Sequence, residues 1–119
     1  MERIRFIPYR GKQILLVDLV HCSAAECEDT LRTTPDYVTG QSRGSVLLLA
    51  DFTGALFDAD AMRTLQQTTV FNKPYVKKAA WIGTESLPVL VRETVSKFSR
   101  REFPVFKSKT EALKWLTED

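Results

Sequence analysis

The apolar positions fall into short runs separated by stretches with helical spacing. Ile4, Phe6, Ile7 and Tyr9 predict a first strand over residues 3–9, with Pro8 inside it. A proline gives no N–H to a ladder, so this strand belongs at a sheet edge or a strand end. Arg10-Gly11 predicts a tight turn. Ile14-Leu15-Leu16-Val17 then runs apolar without alternation, which is how a strand covered on both faces reads. Ser45-Val46-Leu47-Leu48-Leu49-Ala50 and residues 76–83 read the same way. A short last strand is expected at Phe103-Pro104-Val105-Phe106.

Between the strands the period changes to that of a helix. Ser23-Ala24-Ala25-Glu26 has the form of a capping box and opens a helix with Ala24, Cys27 and Leu31 on one face. Pro35 should kink or restart it near Thr34. Residues 40–44 are a turn-rich exit, and residues 52–57 are expected to be a loop. Asp58 is a good N-cap for the next helix, which faces Ala61, Met62 and Leu65 inward. Ser86 is expected to cap a further helix, with Pro88 in its first turn. Leu87, Leu90, Val91, Thr94, Val95 and Phe98 give that helix the clearest amphipathic pattern in the chain. Ser108-Lys109-Thr110-Glu111 opens a last helix carrying Ala112, Leu113, Trp115 and Leu116. The order is ββαβαβαβα. That order implies an α/β fold with a mixed, mostly parallel sheet, the first strand antiparallel to the second.

Composition narrows the class. With 119 residues and 44% hydrophobic content, one domain over residues 1–119 with its own core is expected. A formal charge of +2 is too small to point to nucleic acid. No apolar run approaches the ~20 residues of a membrane helix. The first residues read as a strand and not as a signal peptide. Two cysteines, Cys22 and Cys27, make no disulfide framework, and a cytoplasmic setting is the expectation.

Some residues match a known pattern. They are Gly11-Lys12 before Ile14-Leu15-Leu16-Val17-Asp18, Leu48-Leu49-Ala50-Asp51-Phe52-Thr53-Gly54, and Phe71-Asn72-Lys73-Pro74-Tyr75-Val76-Lys77-Lys78-Ala79-Ala80. Phe98-Ser99-Arg100-Arg101-Glu102-Phe103 and Ala112-Leu113 with Trp115-Leu116 complete the match. On these the chain resembles the STAS domain of bacterial anti-sigma-factor antagonists, and more closely the small bacterial SpoIIAA-like (STAS/SEC14) proteins. The resemblance implies a non-catalytic domain in regulation, partner binding or lipid-like ligand binding. It also implies a docking face at Asp51, Thr53, Gly54, Asp58, Ala59, Asp60 and Met62. The phosphorylated antagonists carry a serine at the start of the helix after the second buried strand. Here Ala59 and Asp60 fill those positions, so no hydroxyl is present and Asp60 could at most imitate a permanent charge.

The remaining candidates rest on side-chain chemistry. Asp58 and Asp60 suit a helix N-terminus, as an N-cap and a first-turn carboxylate, or as part of the docking surface. Asp18 and Asp51 end parallel strands, the edge where α/β sheets bind ligands, but no motif places a third group with them. Loop capping is their expected role. His21, Cys22 and Cys27 fit no zinc spacing, and no metal or other cofactor is expected. Cys22, just ahead of a helix N-terminus, could have a lowered thiol pKa. Lys73, Lys77 and Lys78 around Pro74-Tyr75 are a candidate anion patch. Trp81 and Trp115 are expected in the core. Phe57, Leu65, Trp81, Leu90 and Phe98 could line a small apolar ligand pocket. The expected partner is another protein or a second copy of the chain paired through its first strand, with a lipid-like ligand as the alternative.

Overall fold

The structure is a computed structural model, which describes residues 2–100 and 103–118 apart from the side chains of Leu90, Arg92 and Phe98. The chain runs β1 (Ile4–Tyr9), β2 (Lys12–Asp18), α1 (Ala24–Arg32), α2 (Thr34–Val38), β3 (Val46–Asp51), α3 (Ala59–Asn72), β4 (Val76–Ile82), α4 (Val89–Ser99), β5 (Val105–Phe106) and α5 (Lys109–Thr117). Short 3-10 turns, Lys73–Tyr75 and Thr84–Ser86, follow α3 and β4. The order is the predicted one, with α2 as the restart at Pro35. The five strands lie side by side in chain order. β1 is antiparallel to β2, and the other neighbours are parallel.

Winding in one direction has a consequence for packing. Right-handed crossovers that always step the same way lie over the same face of a sheet. Helices α1 to α4 pack together there, and Leu15, Val17, Ala50 and Trp81 meet Leu31 and Leu65 beneath them. The other face carries Ile14, Leu16, Leu47, Leu49, Ala80 and Ile82. Its helical cover is α5, through Ala112, Leu113 and Leu116.

Two strand lysines fasten α5. Lys78 Nζ donates to the carbonyls of Trp115 at 3.0 Å and Glu118 at 2.8 Å, and it lies 4.8 Å from the centroid of the Trp115 ring. Lys12 Nζ donates to the Thr117 carbonyl at 3.2 Å. The last carbonyls of a helix have no internal partner and carry its negative end, so ammonium groups suit them. Trp115 is half-buried here against Phe106, at the margin of the core on this face.

The helix starts follow the sequence with one exception. Ser23 and Glu26 form the complete capping box, and the Ser23 N–H and hydroxyl hold the Glu26 carboxyl below its ordinary pKa. Asp58 Oδ1 accepts from the Ala61 N–H at 2.8 Å, and the Ser108 hydroxyl accepts from Glu111 at 3.2 Å. Ser86, however, does not cap α4. Pro88 confines Leu87 to extended backbone, so the helix starts after it with Pro88 itself at the N-cap. The Ser86 hydroxyl donates instead to the carbonyls of Phe52 at 3.2 Å and Ala55 at 3.4 Å.

Leu49 lies in the central strand and is fully buried under α5. Truncation to alanine leaves a cavity and costs about 2–5 kcal/mol. A urea titration of Leu49→Ala should show a lower midpoint with an unchanged slope.

Candidate functional site

The ends of β2, β3 and β4 form a rim. Asp18 and Asp51 are register partners there. Asp18 Oδ1 accepts from the Val20 N–H at 3.0 Å. Asp51 Oδ1 accepts from the Thr53 N–H at 3.0 Å and the Thr53 hydroxyl at 2.7 Å. Each carboxylate thus turns the chain at the end of its own strand, an Asx-type role. Among the described residues no group of three or more His, Cys, Asp or Glu side chains is arranged to hold a metal ion.

The loop between β3 and α3 is held at many points. The Phe52 N–H donates to Ile82 O at 2.9 Å, the His21 N–H to Thr53 O at 2.8 Å, and the Leu56 N–H to Cys22 O at 3.0 Å. The Phe52 ring is fully buried, 5.9 Å from Phe57 and 4.7 Å from Trp81 between centroids. Trp81 stacks in turn on Phe103 at 4.8 Å. This aromatic row runs from the loop to the approach to β5 and places Trp81 in the core. Gly54 has φ +67°, and a Cβ there would collide with the His21 ring. Gly83 has φ +69°, and a Cβ there would lie 2.6 Å from the Thr53 nitrogen.

The loop nevertheless presents an apolar side chain to solvent. Leu56 is 62% exposed, and Val89, which opens α4, is 75% exposed. The Ser86 hydroxyl joins the two connections through Phe52 and Ala55. Of the predicted docking residues, Ala59 and Asp60 are exposed at the start of α3, while Met62 is half-buried against the core. Asp60 pairs with Arg63 at 2.9 Å, so its negative charge is partly neutralised on its own helix. Leu56 and Val89 were not singled out in the sequence. The only signal was an apolar residue in a loop or first turn with no helical or strand face to join.

The predicted pocket is only partly assembled. Leu65 and Trp81 line a cavity of about 50 Å³ between the sheet and the helices. Phe57 is not among its walls, because it packs on Phe52 at the rim. The side chains of Leu90 and Phe98 lie outside the described residues. Asn72 and Thr68 line the cavity too. In the sequence Asn72 stands out only within the segment that carries the resemblance.

The lysines of the candidate anion patch are divided. Lys73 Nζ donates to Ser99 O at 2.8 Å and Arg100 O at 3.4 Å, at the end of α4. Lys78 serves α5 on the opposite face of the sheet, and Lys77 is exposed between them on β4. The strand bulges here, with Val46 opposite Val76 and Leu47 opposite Lys78, so Lys77 is left out of the ladder and lies near Lys12, Leu47 and Leu116. The thiols also differ from the expectation. Cys22 and Cys27 are free and buried. Burial raises the Cys22 thiol pKa, against the lowering expected at a helix N-terminus. Burial, with Cys22 beside it, pushes Cys27 up to about 12. Among the described residues no helix is long and apolar enough to cross a membrane.

Two measurements check this geometry. Gly83→Ala should destabilise the fold by about 1–3 kcal/mol through the Thr53 clash and the left-handed backbone, read as a lower thermal midpoint. The two thiols should stay unreacted toward a disulfide reagent near about pH 8, over a time in which the urea-unfolded chain reacts fully.

No family model and no curated protein matches the chain. Among solved structures it is similar to an uncharacterized protein of the DUF3478 family with a SpoIIAA-like fold from Shewanella loihica PV-4. The TM-score is 0.72 at 19% identity, over 95% of this chain and 91% of that one. At that identity the likeness speaks to architecture alone. The one-directional sheet, its antiparallel first strand and its helical cover are those of a SpoIIAA-like fold.

Proposed function

We propose that this chain is a non-catalytic interaction module of the STAS type, which docks a partner protein on the rim of residues 51–62. Leu56 carries the reading. It is an apolar side chain, 62% exposed, on a loop whose backbone is fixed by the Phe52, Leu56 and Ser86 hydrogen bonds. A fixed loop presents its side chain without a further ordering cost on binding. Val89 is a second exposed apolar side chain, beyond the connection that the Ser86 hydroxyl ties to this loop, and Asp60 with Arg63 puts charge at the start of α3. An apolar centre with a charged margin is the usual make-up of a docking patch.

Regulation by phosphate at the start of α3 is not part of this proposal, since residues 58–60 read Asp-Ala-Asp. The partner is a second protein or another copy of the chain. A second reading, carriage of a small apolar ligand, is favoured by the cavity beside Leu65 and Trp81.

Leu56→Ser and Asp60→Lys test the docking reading, because both side chains are exposed and should shift stability by no more than about 0.5 kcal/mol. A protein that co-purifies in stoichiometric amount with the wild-type chain, or a self-association seen by sedimentation, should be lost in both variants. Unchanged association in both would remove the rim from the interface.

A further inference from the structure

Leu48 is out of keeping with its place. It sits mid-strand in β3, between Leu15 and Ala79, on the face that α1 to α4 cover. Leu15 and Ala79 are buried, yet Leu48 is only half-buried. The helices therefore leave a gap over the middle of the sheet. The gap is the cavity of about 50 Å³, with Val17, Leu48, Ala50 and Trp81 among its apolar walls.

Asn72 lines the same gap and is 6% exposed. Its Nδ2 donates to Thr34 Oγ1 at 3.0 Å. The Thr34 hydroxyl spends its proton on Leu31 O at 2.8 Å, so Thr34 Oγ1 can only accept and the amide must face it with nitrogen. Asn72 Oδ1 is left buried without a partner. Two neighbouring donors on the cavity wall are engaged elsewhere. The Thr68 hydroxyl donates to Thr64 O at 2.8 Å, and Lys73 Nζ serves the end of α4. A buried acceptor without a donor is costly, so an occupant of this gap must bring the donor with it.

We infer that the gap binds the hydroxyl end of a small aliphatic alcohol, its O–H donating to Asn72 Oδ1 and its carbon chain lying over Leu48. A carboxylate is the wrong end group, because it would set negative charge against an acceptor with no engaged donor released to meet it. The space admits the end group and first carbons of such a molecule, and the apolar walls suit them. The inference narrows the carriage reading and is independent of docking at the rim.

The test is a titration with 1-butanol, followed by the side-chain amide of Asn72 and the backbone amides around Leu48 in heteronuclear NMR spectra. Methyl propyl ether, with the same heavy-atom count and no donor, is the control. The expected result is saturable shifts at these positions, with the ether at least fivefold weaker. Leu48→Phe and Ala79→Val both fill the gap, and whichever folds should lose the shifts while keeping the wild-type spectrum elsewhere. Equal binding of alcohol and ether would overturn the hydroxyl anchor and leave carriage standing. No saturable shift with either probe would mean a gap filled by water only and would overturn both. Binding that survives in the filled variants would overturn this location.

Discussion

Both faces of β2 and β3 must be kept from water. Ile14, Leu15, Leu16 and Val17 are all buried, and neighbours in a strand point to opposite sides. A sheet wound in one direction supplies helices to one side. The other side depends on α5, a helix of nine residues after the last strand. Without it, Leu16, Leu49 and Ile82 would lie under solvent. Lys12 and Lys78, each on the face α5 covers, fix where that helix stops by taking its last carbonyls. The cover is thus held by apolar contact along its length and by charge at its end.

Trp81 links this scaffold to the rim. Its ring lies against Phe52 on one side and Phe103 on the other. Phe52 begins the β3–α3 loop, so the loop's conformation is set by a core residue and not by its own turns alone. Asp51 and Thr53 then shape the first turn, and Gly54 and Gly83 allow His21 and Thr53 to come close. The exposed Leu56 is a product of this fixation: the backbone is committed elsewhere, and the side chain has no inward direction left.

The fold was legible because its local signals agreed. Apolar runs marked the buried strands, Ser23 and Asp58 marked helix starts, and Pro35 marked the break between α1 and α2. Ser86 misled because the restriction that Pro88 places on Leu87 outweighed a good capping side chain. The site was less legible, because it depends on distances across the sheet. Lys73 and Lys78 are five residues apart in the chain, yet they serve helix ends on opposite faces. Cys22 precedes a helix N-terminus, but burial decides its thiol's pKa. The free oxygen of Asn72 follows from where Thr34 spends its proton, which no spacing rule reveals.

The two margins of the sheet are also unlike each other. One is β1, six residues long, in which Pro8 offers no N–H on either side. The other is β5, two residues long. Backbone-to-backbone zippering needs an unbroken row of donors and acceptors, and neither margin provides a long one. On the docking reading proposed above, recognition therefore falls to side chains. That allows specificity to change by single substitutions on the rim while the strands stay protected from fibrous association.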